Sequence, residues 1–401
     1  MKVALVSPIP MFPTIAGHAS RIRKLAEAIL ESGHELTFFY VPCRLNQQVP
    51  DHAAHEGMLG KEHYIRLNNG NLLQRWAHSA REWPLRQWQK TLWRFNLGGG
   101  YSRLDQSYHS CWTRQLARAS HGMDVVLVEY AFISRAFEAF AATTRRLLDT
   151  HDSFTDRHLR YARKGMRKGF WLSLRARDEN VALRRADAAL AIQQEELELF
   201  HKQLASDGQL PNPEVAVVSH VLDVGNPISN YAADNAAVFV GSNNGPNRYS
   251  MERFLKHVLP LVVREIPGFE LKVAGRICEW MPDTPNVTKL GFVRDLKGVF
   301  ESAPLAINPV LLGSGINIKL LEAMAAAVAT ISTETGTRGL PSSYSNGVVV
   351  VPDSDYGQFA AQIVRHARSA DLRREAGQAA LSDARRWNDA QRSALQRVLE
   401  G

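Results

Sequence analysis

The chain has 401 residues, a length that exceeds one ordinary hydrophobic core and predicts two domains. It is 45% hydrophobic and 22% charged, as soluble globular proteins are, and its net charge of +8 favours an acidic partner such as anionic lipid, a phosphorylated acceptor or nucleic acid. Three scattered cysteines and the lack of an apolar run of about 18 residues argue against a zinc site, a disulfide framework and a spanning helix, and fit a reducing cytoplasm.

The first 41 residues have the pattern of a strand, a loop, a helix and a second strand. The strands are predicted at Val3–Ser7 and Leu36–Val41, and the helix from Gly17 to Ser32, closed by Gly33. The opening strand is too short for a signal peptide. Further short apolar runs predict strands at 125–129, 146–150 and 188–192. This order is typical of a doubly wound α/β domain.

A segment from about 44 to 122 exceeds what a minimal domain of this kind needs, and it holds five of the eight tryptophans. Pro84 is suited to the first position of a helix. Helical spacing places two sets of side chains on opposite sides, the apolar Leu85, Trp88, Leu92 and Phe95 and the basic Arg86, Lys90 and Arg94. Such a helix either lies on an anionic membrane or packs on its own core with a solvated basic face.

A second basic stretch, from Arg157 to Arg185, has ten Lys or Arg residues and two acids, Asp178 and Glu179. It is interpreted either as a solvated helix or, together with Phe170 and Trp171, as a surface-binding patch.

The C-terminal half repeats the doubly wound pattern. Helical segments separate most of its predicted strands, which are at 237–242, 271–275, 287–291, 305–310, 327–332 and 347–351. Continuous apolar runs of this kind are typical of parallel strands covered on both faces. A linker rich in Gly, Pro and Asn at Asp207–Glu214 predicts domains at 1–210 and 211–385.

The most informative segment runs from Gly313 to Ala325 and follows the strand predicted at 305–310. Glycines at a strand-to-helix turn allow close approach of a ligand, and a helix N-terminus attracts anions, most often phosphate. Lys319 adds a cation, and Glu322, one turn further, suits ribose hydroxyls. The segment therefore predicts a nucleotide diphosphate cradle, and a tight turn with a capped helix is the alternative.

Four landmarks in order resemble the family-4 retaining glycosyltransferases of the GT-B fold, especially bacterial polysaccharide and sugar-nucleotide transferases. The landmarks are the glycine loop at 237–247, the strand at 271–276, the Gly-Phe-Val segment ending at Val293, and the turn at 313–325 with the segments after it. The resemblance covers residues 236–390 well and the N-terminal half loosely. It implies two Rossmann-like doubly wound domains facing across a cleft, with a C-terminal helix at 386–401 that crosses back to the first domain.

The resemblance also implies roles for donor-binding residues. Glu322 corresponds to the second acid of the family's paired acids, whereas Ser314 replaces the first. The other donor-binding residues that it implies are Gly17 after Ala16, Arg248, Arg276, Val293, Gly315, Ile316, Asn317 and Lys319. The amides at 315–317 would meet the diphosphate, and Val293 would lie near the base. A surface salt bridge is the alternative for Arg276.

Leu148–Asp152 resembles the family's turn in which a histidine reaches the donor sugar, here His151. A histidine between two acids can hydrogen-bond and titrate, or it can be structural. His151 and Asp152 are the predicted catalytic positions, with Asp152 orienting and capping. His158 is a further candidate for the acceptor side.

The resemblance implies transfer of a sugar from a nucleotide diphosphate sugar to a glycan or lipid-linked acceptor, with retention and without a metal or other cofactor. The site departs from the family pattern at Ser314, Ala16 and the donor loop, so a degenerate, non-catalytic binding protein is the alternative. A GT-B epimerase or phosphorylase fits less well, since those enzymes lack the pattern at 313–324 and a phosphorylase needs a pyridoxal lysine that the sequence does not indicate. A nucleic-acid-binding protein fits less well because the basic residues lie in one insertion and one helix and not in a known nucleic-acid motif.

Overall fold

The computed structural model describes residues 1–14, 17–43, 45, 48–95, 100–163, 170–225, 227–228, 235–293, 295–313 and 315–401. The chain forms two compact units. Unit 1 comprises Met1–Ser219 and Arg392–Gly401, and unit 2 comprises His220–Gln391. The boundary falls later than the predicted one at 210/211, because Glu214–Val217 joins the first sheet as a strand.

Unit 1 is built on a parallel sheet of seven strands in the order β3-β2-β1-β4-β5-β6-β7. The strands are β1 (Lys2–Ser7), β2 (Glu35–Tyr40), β3 (Tyr64–Arg66), β4 (Val125–Glu129), β5 (Arg145–Asp149), β6 (Ala188–Ala191) and β7 (Glu214–Val217). The helices are α1 (Gly17–Glu31), α2 (His52–Leu59), α3 (Leu72–Arg94), α4 (Ser110–Ala119), α5 (Arg157–Arg163), α6 (Ala176–Leu183) and α7 (Gln194–Ser206), with short 3-10 helices at Lys61–His63 and Ala131–Ala139.

The central strands of unit 1 have apolar, buried middles because helices cover both faces of the sheet. In β1 the residues Val3 to Val6 are completely buried, and β4 is buried from end to end. The strand ends are therefore the places where polar side chains lie, and Glu129 and Asp149 close β4 and β5.

The predicted strands of both units lie within about two residues of the observed ones, and β3 and β7 are additional. β3 has only three residues, and β7 begins with an exposed glutamate, so neither has a long apolar run. Both are edge strands of the sheet. The linker predicted at 207–214 ends at the start of β7.

The helix predicted to begin at Pro84 begins at Leu72 instead, and Pro84 lies inside it. A proline inside a helix removes one backbone hydrogen bond and crowds the carbonyl four residues earlier, so it weakens the helix, but here the helix continues through it. The prediction of the helix start was wrong because a proline signals a helix start only where no helix-forming sequence precedes it.

Unit 2 has a parallel sheet of six strands in the order β10-β9-β8-β11-β12-β13. The strands are β8 (Ala236–Val240), β9 (Glu270–Ala274), β10 (Val287–Gly291), β11 (Leu305–Asn308), β12 (Ala329–Thr333) and β13 (Val348–Val351). The helices are α8 (Gly245–His257), α9 (Leu259–Glu265), α10 (Lys297–Glu301), α11 (Ile318–Ala325), α12 (Tyr356–Ala367) and α13 (Ala370–Glu400), with 3-10 turns at Arg276–Glu279, Thr335–Thr337 and Ser342–Tyr344.

Helix α13 packs against unit 2 without space for side chains at two glycines. A Cβ on Gly377 would lie 2.2 Å from the Ala327 carbonyl oxygen, and one on Gly347 would lie 2.0 Å from the Ala380 amide nitrogen. The predicted helix at 386–401 is the second half of this longer helix, whose residues from Arg392 onward belong to unit 1.

Among the residues that the structure describes, none of the helices combines the length and hydrophobicity needed to span a bilayer.

Candidate functional site

The carboxyl ends of the parallel strands in unit 2 lie along one edge of its sheet, which is where α/β sheets bind ligands. Strand β11 lies between β8 and β12. The described donor-side residues predicted in this unit lie in the segments that follow these strands: Arg248 on α8 after β8, Arg276 after β9, Val293 after β10, and Gly315, Ile316, Asn317, Lys319 and Glu322 after β11.

Asparagine side chains fix the turn between β11 and α11. Asn317 is the N-cap of α11, and its side-chain oxygen accepts from the Lys319 and Leu320 amides at 3.1 and 3.3 Å. Its side-chain amide donates to the Asn308 side-chain oxygen at 2.5 Å, which ties the start of the helix to the end of β11. The N-terminus of α11 is therefore held firmly at the sheet edge.

The backbone amides before α11 are directed away from the protein's own acceptors. In the described part of the chain, the Gly315, Ile316 and Asn317 amides have no protein hydrogen-bond acceptor. All three residues are half-buried. Unpaired amides beside a helix N-terminus form a site for an anion. The predicted residue Ser314 lies outside the described residues.

Lys319, in the first turn of α11, contacts Glu322 one turn further along the helix. The Lys319 ammonium lies 2.7 Å from a Glu322 carboxylate oxygen, with 41% and 25% of the two side chains exposed. A half-exposed pair at this spacing contributes little to stability, so either partner can turn to a ligand at low cost.

Arg248 and Arg276 lie together at the ends of β8 and β9. Arg248 donates to the Asn243 side-chain oxygen at 2.7 Å, and its guanidinium lies 6.0 Å from the Trp280 ring centroid. Arg276 makes a half-exposed ion pair with Glu279 at 3.2 Å, as the alternative interpretation proposed. Within the described residues, neither arginine contacts Lys319 or Glu322.

The chain segments at the ends of β8, β9 and β10 contact one another at Gly241, Gly275 and Gly291. The Gly275 amide donates to the Gly291 carbonyl at 2.7 Å, two residues before the half-buried Val293. Gly275 has φ +100°, and a Cβ there would lie 2.3 Å from the Gly241 carbonyl oxygen. Only glycine fits this position, so the sequence Ala-Gly-Arg after β9 is a structural requirement of the site.

Arg338 is a site residue without a predicted role. Its guanidinium donates to the Gly313 carbonyl, so the segment after β12 clamps the glycine turn. The segment Thr335–Leu340 was among the features of the family resemblance, but only the folded chain shows that its arginine meets Gly313.

In unit 1, four polar side chains form a buried cluster where β4 and β5 end. Arg21 of α1 binds both carboxylate oxygens of Asp149 at 2.8 Å and donates to the Val218 carbonyl at 2.7 Å. His151 Nε2 contacts the Glu129 carboxyl group and lies 3.6 Å from Asp149. Glu129 and Asp149 are directly paired in the sheet register.

Burial decides the charges of this cluster. It raises the pKa of Glu129 well above its usual value, and the neighbouring Asp149 raises it further. For Asp149 burial acts in the same direction, but Arg21 outweighs it and lowers the pKa. Burial lowers the pKa of His151 to about 3. Arg21 thus favours an ionised Asp149, and burial favours the neutral forms of Glu129 and His151, whose side chains contact each other.

Glu129, Asp149 and His151 offer ligand atoms within 4.8 Å of one another, as a metal site would. Arg21, however, occupies both oxygens of Asp149 and already supplies the positive charge. The donor set thus fits an internal ion pair better than a cation.

Aromatic rings form a wall beside His151. The Tyr130 ring stacks on His151 at 4.0 Å, and the Trp171 ring stands edge-on to Tyr130 at 5.3 Å. Trp171 is 38% exposed, and its indole N–H donates to the Leu45 carbonyl. His151, Tyr130 and Trp171 all have positive φ angles, between 60° and 76°. Such backbone strain is common at functional sites.

Sequence reasoning missed Glu129, Tyr130 and Arg21 as partners of His151. An acid at the end of the buried run Val125–Glu129 is a signal for a site at the strand end. Nothing in the sequence indicates that Arg21, on the second turn of α1, reaches Asp149.

The remaining unit 1 predictions have mixed outcomes. Gly17 is the half-buried first residue of α1, and Ala16 lies outside the described residues. Asp152 pairs with Arg157 at 3.3 Å, which suits an orienting role. His158 is buried and bonded to the Ser173 hydroxyl at 2.6 Å, so its proposed place on the acceptor side is wrong, because its ring packs internally.

The basic stretch from 157 to 185 is largely neutralised within unit 1. Arg184 pairs with Asp207, Arg185 with Asp105, and the Arg175 guanidinium lies over the Tyr101 ring. These contacts favour the interpretation as a solvated surface over a binding patch for the residues that the structure describes. Residues 164–169 lie outside that part.

Comparison with known proteins agrees with these observations. Residues 234–369, most of unit 2, match the family model described as Glycosyl transferases group 1. An uncharacterised 44.6 kDa protein from the cps region of Klebsiella pneumoniae is 25% identical over 145 residues. That alignment spans 33% of this chain and 37% of the relative, so it covers about a third of each protein.

Two solved structures share the fold. Sucrose-phosphate synthase from Thermosynechococcus elongatus superimposes with a TM-score of 0.64 at 16% identity, over 100% of this chain and 98% of that one. A point mutant of S. aureus TarM, in complex with fondaparinux, alpha-GlcNAc-glycerol and UDP, superimposes with a TM-score of 0.55 at 10% identity. Here the alignment covers 72% of this chain and 58% of TarM.

Proposed function

We propose that this chain, which has the GT-B fold and a glycosyl transferases group 1 domain at residues 234–369, transfers a sugar from a nucleotide diphosphate sugar to an acceptor. The transfer retains the anomeric configuration, requires no metal, and uses a glycan or lipid-linked acceptor in cell-surface polysaccharide synthesis. The glycine turn before α11 is the observation on which the proposal depends, because it presents unpaired amides and a lysine at one sheet edge.

The donor diphosphate lies against the amides of Gly315, Ile316 and Asn317 and the N-terminus of α11. On binding, the Lys319–Glu322 pair separates, so that Lys319 meets the phosphates and Glu322 accepts from the ribose hydroxyls. The pair is half-exposed, so its loss costs little free energy. Arg338 keeps the turn in place through Gly313.

Departure of the diphosphate requires stabilisation of its developing negative charge. Oriented amides and fixed cations provide this without reorganisation during the reaction. Arg248, held by Asn243, is already oriented, and Arg276 is free to exchange its surface partner Glu279 for a phosphate. Together with Lys319 these cations support a metal-independent mechanism.

His151 acts as a neutral hydrogen-bonding group near the donor sugar and not as a general base. Its pKa is lowered to about 3 by burial, so it holds no extra proton to give or take near neutral pH. Glu129 and Tyr130 fix its ring, and Asp152 orients the following turn through Arg157.

Two observations support a glycan or lipid-linked acceptor: the context of the similar proteins, and the aromatic rings of Tyr130 and Trp171 beside His151. The K. pneumoniae relative is encoded in a cps region, and the TarM mutant was solved with glycans and UDP. The half-exposed Trp171 offers an aromatic face suited to a sugar ring or an apolar chain. A lipid-linked acceptor would place the protein in the cytoplasm, peripherally at the inner membrane face.

A hydrolysis screen across UDP-, GDP-, ADP- and TDP-sugars tests the proposal. We expect one donor class to release nucleoside diphosphate slowly without acceptor, in the presence of EDTA as well as without it. The anomeric product determined by NMR then tests retention. No release with any donor, before and after addition of bacterial lipid extract as acceptor, would contradict the proposed activity.

A non-catalytic GT-B protein that binds a nucleotide or glycan is the alternative. Ser314 and the altered donor loop are the observations that favour it. Thermal shift with UDP, GDP and ADP separates the two proposals when combined with the screen. A shift without turnover favours a binding protein, whereas a shift with turnover favours the transferase.

A further inference from the structure

Helix α3 exposes an unusual amount of apolar surface. Six large apolar side chains on this helix and the residue after it are between 63% and 79% exposed. We call them the outer face of α3; they are Leu72, Leu73, Trp76, Trp83, Trp88 and Phe95. Only eight other large apolar side chains are exposed in the rest of the described chain, and they are scattered. A concentration of exposed large apolar side chains on one helix is typical of an interaction site.

The opposite side of α3 packs on unit 1 and fixes the orientation of the helix. The His78 ring lies 3.7 Å from the His109 ring, and Arg86 donates to the Ser107 hydroxyl at 3.4 Å. Near the end of the helix, Trp93 packs edge-on against His158 at 4.9 Å. The outer face is therefore turned away from unit 1 along the whole helix.

This arrangement differs from the predicted one. Leu85 and Leu92, predicted to share an apolar face with Trp88 and Phe95, are half-buried on the inner side. Helical spacing places Lys90 and Arg94 close to the line of Trp76 and Trp83, so cations and aromatic rings share the outer face.

The charge of the helix is strongly positive. Residues 72–95 contain five Lys or Arg and one acid, Glu82. Within the described residues, no acidic side chain pairs with Arg75, Lys90 or Arg94, and all three are exposed. Aromatic rings interleaved with unpaired cations match the boundary between headgroups and acyl chains of an anionic bilayer.

We propose that the outer face of α3 docks the protein on an anionic lipid bilayer, with Trp76 and Trp83 inserted at the headgroup level and Lys90 and Arg94 against lipid phosphates. The proposal deepens the proposed function, on which its choice of a lipid-linked acceptor rests. A second copy of the chain is a poorer occupant. A two-fold contact through this face would bring cations of one copy against those of the other without acids to balance them.

The inner side of α3 contacts a residue next to the aromatic wall. The inner-side residue Trp93 contacts Phe170, with ring centroids 6.1 Å apart, and Phe170 directly precedes Trp171 of the wall.

The test is co-sedimentation of the full chain with two kinds of vesicle, phosphatidylcholine alone and phosphatidylcholine with phosphatidylglycerol, at low and high salt. We expect binding to require the anionic lipid and to fall with salt. The double variant Lys90→Gln/Arg94→Gln should bind about 25-fold more weakly, at about fivefold for each cation. The double variant Trp76→Ser/Trp83→Ser should bind anionic vesicles roughly tenfold more weakly, or weaker still.

The matched control is Lys202→Gln/Lys256→Gln, which removes the same charge from exposed lysines outside α3. It should bind vesicles as the unchanged chain does. All variants should keep the unfolding temperature and the hydrolysis of free donor, since the altered side chains are exposed. Vesicle binding thus remains measurable even if no donor is hydrolysed.

Three outcomes would overturn the proposal. The first is that the unchanged chain ignores anionic vesicles at low salt. The second is that the control variant loses as much binding as Lys90→Gln/Arg94→Gln. The third is a stable dimer in analytical ultracentrifugation that Trp76→Ser/Trp83→Ser dissociates, which would assign the outer face to a second copy.

Discussion

Glu322 is the residue whose predicted role is tested most directly. In the proposed complex its carboxylate accepts from two ribose hydroxyls, and such bonds to a charged group are worth about 2 kcal/mol. Glu322→Ala should therefore weaken nucleoside diphosphate binding about 30-fold in isothermal titration. The control Glu252→Ala, at an exposed acid on α8, should bind normally. Unchanged affinity in a folded Glu322→Ala protein would refute the ribose contact.

His151 should affect turnover and not donor affinity, because it is proposed to touch the sugar and not the nucleotide. We expect His151→Ala to reduce kcat about 100-fold while the Kd for nucleoside diphosphate changes by less than about threefold. Rapid-quench kinetics and titration measure the two quantities. A large loss of nucleotide affinity would show that His151 only supports the fold of the site.

Because its pKa is raised on folding, Glu129 makes the stability of the protein fall as pH rises. Folded Glu129 keeps its proton where the unfolded chain, with a pKa of 4.5, has lost it. The free energy of unfolding therefore falls as pH rises above 4.5. The pKa of His151 is lowered from 6.5 to about 3, so the unfolded chain binds the proton first and stability falls as pH drops from 6.5 towards 3. Burial also raises the pKa of Glu196 to about 8, so Glu196 adds to the loss of stability as pH rises.

Glu129→Gln should remove part of the loss of stability that occurs as pH rises, because glutamine does not titrate and still offers an N–H to His151. As pH rises above about 5, we expect the unfolding temperature of the variant to fall less steeply than that of the unchanged chain. The contribution of Glu196 to the pH dependence of stability is the same in the variant and in the unchanged chain, so it cancels in the comparison. Parallel curves would mean that Glu129 is ionised in the folded chain.

At this scale the sequence predicted which residues follow the strand ends, but not which of them meet. His151 and Glu322 come from local patterns that a single chain shows. The Arg21–Asp149 pair and the Arg338–Gly313 contact join residues 128 and 25 positions apart. Such pairs depend on strand order and helix rotation, which local patterns leave open.

At the scale of elements, the central strands were predicted well because burial on both faces imposes long apolar runs. Edge strands β3 and β7 lack that constraint and were missed. For α3 the periodicity was recognised, but the helix starts 12 residues before Pro84. Its inner side includes polar residues such as His78 and Arg86, so hydrophobicity alone misplaced the two faces.

The junction of the loops after β8 and β9 gives a prediction for an element. A Cβ at position 275 would overlap the Gly241 carbonyl oxygen, and φ there is +100°. Gly275→Ala should therefore lower the stability of unit 2 by about 2 kcal/mol or more and weaken nucleotide binding. Thermal unfolding and titration test this, with Gly298→Ala, at a position with open space, as the control. Equal stability of both variants would show that the loops can separate.

At the scale of the whole molecule, two doubly wound units follow from length and from the repeated strand pattern. The exact boundary between the units cannot be predicted from that pattern, because unit 1 takes its last residues, Arg392–Gly401, from the far end of the chain. A helix that is continuous in sequence gives no local sign that its two halves serve different units.

Removal of residues 392–401 should destabilise unit 1. Leu395, Val398 and Leu399 are at most 3% exposed, and the Val398 carbonyl accepts from Arg145 at 2.8 Å. Burial of three such side chains stabilises by about 4 kcal/mol or more, a large share of an ordinary domain's stability. Hydrogen exchange should show faster exchange in residues 1–219 of the shortened chain than in a control that lacks only Gly401. Unchanged exchange would mean that unit 1 is stable without the segment.

The discontinuous composition of unit 1 also has a consequence for biosynthesis. A ribosome makes residues 1–219 first, then the 172 residues of unit 2, and only afterwards the segment that completes unit 1. At ordinary elongation rates the interval is about 10–35 s. During that time the surface that receives Leu395, Val398 and Leu399 stays open to water and to chaperones. The unit whose synthesis begins first is therefore the last to be finished.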